Sequence, residues 1–177
     1  MNLLKLVLCF IGLGFFGCAE VNIKPHMPTL KSTREISKVD GTYRILTVKG
    51  NTSALDKILN NIQMKCSATN FSMPRGNTVG SFIREIFEQE LDAAKKLSLN
   101  GTPIEVVVKS IELETTNTAS GTWTVEIDYN QNEKTTNIKN IIEFESKFSM
   151  LSSCKNASNI FEEALVDNFV DFIKKKP

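Results

Sequence analysis

Four cysteines (Cys9, Cys18, Cys66 and Cys154) and one histidine, His26, are the residues of this 177-residue chain best suited to covalent, metal or proton-transfer chemistry. A nucleophile–histidine pair would have to use His26, which lies between Pro25 and Met27 in a stretch with no hydrophobic period. A lone histidine in such a segment reads as a solvated side chain, and we assign it no role. Hydrolysis by carboxylates needs two acids converging on one pocket. Glu85, Glu88, Glu90 and Asp92 fall on a helix and read as its solvated face; Glu126, Asp128, Glu143 and Glu145 fall on outward strand positions. The Asp/Asn-rich run 128–133 lacks the glycine and the terminal-glutamate spacing of a calcium loop. HExxH, GxSxG, P-loop and CxxC patterns are absent from the sequence. Trp123 reads as a core or hairpin-pair residue. The expectation is a non-enzymatic chain with no catalytic residue, no metal site and no cofactor, whose ligand-binding residues the sequence leaves unknown.

The elements that would position these side chains follow from periodicity. Ordinary globular composition, 41% hydrophobic and 23% charged, excludes disorder and coiled coil. Twenty-one Lys and Arg against 20 Asp and Glu give no reason to expect a nucleic-acid partner. Residues 43–48 read as a strand between two glycines, and 55–62 is ambiguous with helical spacing. Ile62, Met64, Cys66 and Ala68 alternate with polar residues, predicting a strand ended by Pro74. Phe82, Ile83, Ile86, Phe87, Leu91, Ala94 and Leu97 form one helical stripe over 82–97, stopped by Asn100-Gly101.

Ile104, Val106 and Val108 alternate, but Ile111 and Leu113 have the opposite parity, predicting a bulge near Lys109-Ser110. Trp123, Val125, Ile127 and Tyr129 share a face, as do Ile142, Phe144, Phe148 and Met150, with a polar loop over 130–136 between them. A last helix, with Asn159 and Glu162 at capping-box spacing, carries Phe161, Leu165, Phe169 and Phe172 and closes on solvated Lys174, Lys175 and Lys176. The predicted fold class is α+β: a two-layer domain, mostly antiparallel sheet of about five strands, with two amphipathic helices on one face.

The first segment, MNLLKLVLCFIGLGFFGCAE, has Lys5 as its only charge before Glu20, followed by an apolar run over 6–16. That is the layout of a secretory signal, and the run is short of the roughly 20 residues a membrane span needs. Gly17-Cys18 resembles the end of a bacterial lipobox, although Phe15 stands where Leu is usual and Phe16 where a small residue is usual. The resemblance implies cleavage before Cys18, acylation of its sulfur by diacylglycerol, further acyl chains such as palmitate, and a membrane anchor. With Ala19 rather than Asp next to it, it implies transfer to the outer membrane. The alternative is an ordinary signal peptide with an incidental Cys18. The expected organisation is a signal peptide over 1–17, a lipid-anchored tether over 18–40 holding Pro25 and Pro28, and a single α+β domain over 41–177. Four Asn-x-Ser/Thr sequons, at Asn51, Asn70, Asn100 and Asn156, matter only in a eukaryotic host.

Two cysteines remain after this processing. In an exported, oxidising compartment Cys66 and Cys154 read as one disulfide, Cys154 lying between the last strand and the last helix. Closing so long a loop contributes about 4–5 kcal/mol by chain entropy. The alternative is two separate buried thiols.

From Cys66 onward the chain resembles small bacterial envelope lipoproteins in the order of its elements: FSMPRGN at 71–77, SFIREIFEQEL at 81–91 and SCKNASNIFEEAL at 153–165. It is similar in layout to the YajG-like lipoproteins and the auxiliary lipoproteins of ABC-type lipid transport, over about two thirds of its length. The resemblance implies an outer-membrane-anchored, periplasm-facing accessory or binding protein of envelope assembly or transport. Its partners would be the membrane, through lipid on Cys18, and an envelope protein or lipid of unknown identity. The alternative is a surface-exposed lipoprotein antigen or adhesin.

Overall fold

A computed structural model describes residues 21–66, 69–115, 120–145 and 149–175. The segment expected as a signal peptide, with Cys9, and Cys18, expected to carry lipid, lie outside the described residues, as do Ala68, Phe148 and Lys176. The elements in order are β1 (Val21–Asn22), α1 (Leu30–Ser37), β2 (Tyr43–Gly50), α2 (Ser53–Leu59), β3 (Gln63–Cys66), β4 (Thr69–Ser72), a 3-10 turn (Pro74–Gly76), α3 (Val79–Ala93), β5 (Thr102–Glu114), β6 (Ser120–Gln131), β7 (Lys134–Glu145) and α4 (Met150–Lys174).

The class is α+β, as the periodicity predicts, built from more pieces than expected. Seven strands form two mixed sheets, of order β2-β5-β6-β7 and β1-β4-β3, among the described residues. In the larger sheet β2 runs parallel to β5 and the other pairs are antiparallel. The parity switch in β5 is a bulge: the pairing with β6 slips between Val108 and Ser110. One face buries Ile104, Val106, Val108, Trp123, Val125, Ile127 and Tyr129, while Lys109, Lys139 and Glu143 are exposed on the other. Onto the buried face pack α3, through Phe82, Ile86 and Phe87, and α4, through Phe161, Leu165 and Phe169. Rings stack between the two helices, Phe87 on Phe169 at 4.3 Å, and between sheet and helix, Tyr129 on Phe172 at 4.1 Å.

Several boundaries differ from the sequence expectation. The single strand expected over 62–74 is the antiparallel β3–β4 hairpin, and Ile62 is exposed. The loop expected over 130–136 shrinks to Asn132 and Glu133, both at positive φ, because a two-residue turn of that hand matches strand twist. Helix α3 ends at Ala93 rather than Leu97, with Lys95 at φ 58° turning the chain. Helix α4 begins at Met150, a residue expected on the preceding strand; its cap is Ser149, whose hydroxyl accepts from Ser152 N at 3.2 Å, not Asn159.

The largest correction concerns residues 21–40, expected as an extended spacer. Val21 and Asn22 pair in parallel with Phe71 and Ser72, and Ile23 N–H donates to Ser72 O at 3.0 Å. Thr29 and Ser32 then form a capping box that starts α1, which packs on α4 and α3. Short elements of this kind carry too few residues to show a period.

Candidate functional site

Between β1 and α1 the chain lowers His26 into the crevice between α3 and α4. His26 is buried, which corrects its reading as a solvated side chain. Its Nδ1 lies 2.7 Å from Glu162 Oε1 and its Nε2 lies 3.0 Å from Glu90 Oε1. With a carboxylate on each nitrogen, both ring positions donate and the imidazolium form is favoured. Burial by itself disfavours the charged ring, but hydrogen bonds to Glu162 and Glu90, with their charges, outweigh it and raise the His26 pKa to about 9. His26 is therefore a cation at neutral pH.

Glu90 corrects a second reading. It is 0% exposed, and its Oε2 has no hydrogen-bond partner among the described residues. A signal for this was present. Glu90 falls at the same helical phase as Ile83, Ile86, Phe87 and Leu91, so on α3 it must point with the apolar stripe into the protein. Glu85 and Glu88 do sit at the surface, as expected, pairing with Gln89 and Arg84. Glu162, expected to cap a helix, is half-buried midway along α4 and reaches His26 instead.

A cavity of about 700 Å³ opens beside the trio, between the segment 23–35 and α4. Ile23, Val166 and Val170 supply apolar walls, and Lys31, Asp167 and Lys174 charged ones. Beneath it runs a chain of hydrogen bonds into the core. Tyr129 Oη donates to Asn168 Oδ1 at 2.8 Å; Asn168 Nδ2 donates to Asn140 Oδ1 at 2.8 Å; Asn140 Nδ2 donates to Asp171 Oδ2 at 3.1 Å on the cavity wall. Burial, and then the Asp171 charge, push the Tyr129 hydroxyl well above its ordinary range.

The chemistry open to this arrangement is limited. An imidazolium held on both nitrogens lacks the free lone pair a general base requires at neutral pH. Glu90 is sealed from the cavity side by the fold, so Glu90 and Glu162 do not present a pair of acids to a common substrate. The trio acts as a clasp, tying the N-terminal segment to α3 and α4, and the cavity offers a volume within the range of small-molecule sites.

At the other end of α4, Cys66 and Cys154 are joined by a disulfide with Cα atoms 5.9 Å apart. Cys154 lies inside α4 rather than before it. The bridge ties the β1-β4-β3 sheet to α4, where Phe71 also meets Trp123 and Phe161 at 6.0 and 6.1 Å. Trp123 is a core residue, as expected, its Nε1–H donating to Ala157 O at 2.8 Å. Among the described residues no group of three or more His, Cys, Asp or Glu is arranged to hold a metal ion.

No family model and no curated protein matches the sequence. Among solved structures the chain is similar to XCC0632 of Xanthomonas campestris, from the DUF330 family, with TM-score 0.59 at 9% identity over 88% of this chain and 93% of that one. A second, uncharacterized protein aligns with TM-score 0.53 at 7% identity, over 89% of this chain and 98% of that one. At such identities the likeness is one of fold.

Proposed function

We propose that this chain is a non-enzymatic lipoprotein of a bacterial envelope, anchored in the outer membrane through acyl chains on Cys18, facing the periplasm, and serving as an accessory or binding component of envelope assembly or transport. The observation that carries the reading is the Cys66–Cys154 disulfide, buried in the protein, in a chain whose first 18 residues have the layout of an export signal ending in Gly-Cys. A structural disulfide suits an oxidising compartment. The engagement of His26 and Glu90 with each other, rather than with open space, supports a binding role over catalysis. The cavity beside α1 is the candidate ligand space.

The anchor is tested by Cys18→Ala in the native cell. The variant is expected to lose radiolabelled palmitate and to leave the membrane fraction; unchanged fractionation would sink the reading. Protease treatment of intact cells tests orientation: protection is expected, and cleavage favours the surface-exposed antigen or adhesin instead.

A further inference from the structure

Residues 21–34 carry their large exposed side chains in an unusual combination. Met27 is 78% and Leu30 76% exposed, Leu30 as the first residue of α1 and Met27 three residues before it. Exposed Lys24, Lys31 and Arg34 flank them, and the stretch contains no carboxylate. None of these three cations forms an ion pair among the described residues. The buried side of the same stretch, Ile23, His26, Ser32 and Ile36, is turned into the protein, so Met27, Leu30 and Arg34 form its outer surface, with exposed Lys24 and Lys31 at the rim of the cavity.

Chain length fixes where this surface sits. Val21 is already hydrogen-bonded in β1, only three residues after Cys18. Three residues span at most about 11 Å, and the nine from Cys18 to Met27 at most about 32 Å. No long spacer separates a lipid on Cys18 from the fold.

We infer that the surface formed by Met27, Leu30, Lys24, Lys31 and Arg34 is a second membrane contact that lies on an anionic phospholipid surface beside the anchor. The inference rests on the lipidation of Cys18 proposed above. Apolar side chains inserting at the headgroup boundary, flanked by lysine and arginine, are the chemistry by which interfacial segments bind anionic bilayers. One acyl anchor fixes a point; a second contact a turn into α1 fixes the orientation of the domain, and with it the side from which the cavity between α1 and α4 is reached.

The test uses the full, processed chain in vesicles of phosphatidylethanolamine and phosphatidylglycerol containing brominated acyl chains, with mass spectrometry of the N-terminal peptide confirming the lipid. Two variants are compared: Met27→Trp, and Ile141→Trp on the exposed face of the larger sheet, where Ile141 is 62% exposed. Trp123 is fully buried and gives both the same background. Met27→Trp is expected to show blue-shifted emission quenched by the brominated lipid, weakened when Lys24, Lys31 and Arg34 are changed to Glu. Ile141→Trp is expected to emit as a solvent-exposed indole. Lipidated protein with equal, unquenched emission from both variants overturns the inference while leaving the anchor intact. Shielding of Met27→Trp in cells but not in vesicles also overturns it, in favour of a protein partner. A peptide with no lipid on Cys18 overturns the anchor and this inference together.

Discussion

The clasp makes a quantitative prediction. In His26→Gln the imidazolium is lost, while Glu90 stays wholly enclosed with its Oε1 deprived of the contact at 3.0 Å and its Oε2 already unpartnered. Breaking a buried pair by removing one member costs about 3–5 kcal/mol, mostly the stranded charge. The pH dependence gives an independent handle. The folded pKa of about 9 stands above the ordinary 6.5, so the clasp binds its proton more tightly in the folded protein. Its stabilisation is therefore complete below pH about 6.5, shrinks above it, and is gone once pH has passed about 9; the shift corresponds to about 3 kcal/mol. The assay is urea unfolding with the disulfide intact, wild type against His26→Gln, at several pH values from 6 to 10. The wild-type advantage is expected to narrow by about 3 kcal/mol across that window. Adding Glu90→Gln to the His26 variant is expected to recover much of the loss, since it removes the stranded charge. A stability gap that stays constant from pH 6 to 10, or a double variant no better than the single, would refute the clasp.

Two further changes probe the frame around the site. Replacing Cys66 and Cys154 together by Ser is expected to lower stability by about 2–5 kcal/mol and to expose β3 and β4 amides to hydrogen exchange before those of β5 and β6; identical midpoints and protection would refute a structural bridge. In Gly101→Ala the new Cβ would lie 2.6 Å from Tyr43 N and 2.8 Å from Thr42 C, backbone atoms of the neighbouring segment where β2 and β5 begin to pair. Overpacking there is expected to cost about 1–3 kcal/mol as a lower denaturant midpoint with an unchanged slope. A wild-type midpoint would show that the two segments separate freely.

What the sequence makes legible is what a solvent boundary writes into it. β6 and the inner part of β7 alternate because one face meets α3 and α4 and the other meets water. The bulge at Lys109 is readable because the core demands opposite parities on either side of it. The first turns of α4 are not readable: apart from Cys154 and Ala157, which are small, residues 152–158 are polar, and without large apolar groups they show no stripe. β1 fails for a different reason, since two residues in a parallel pairing with β4 have no period to display.

The site lies between these cases. Its charge pattern carried information that hydropathy alone discards. Glu90 is in phase with Ile86, Phe87 and Leu91, and a helix that buries those residues buries it too. An enclosed carboxylate needs a cation or a proton, because an unpaired buried charge costs several kcal/mol. Lysine and arginine are seldom wholly enclosed, and the chain has one other residue that can carry positive charge, His26. Its burial was thus constrained by a glutamate 64 positions away, not by Pro25 and Met27 beside it. Neighbouring residues describe a histidine's segment; the charge it must balance decides whether that segment hangs free or is folded down.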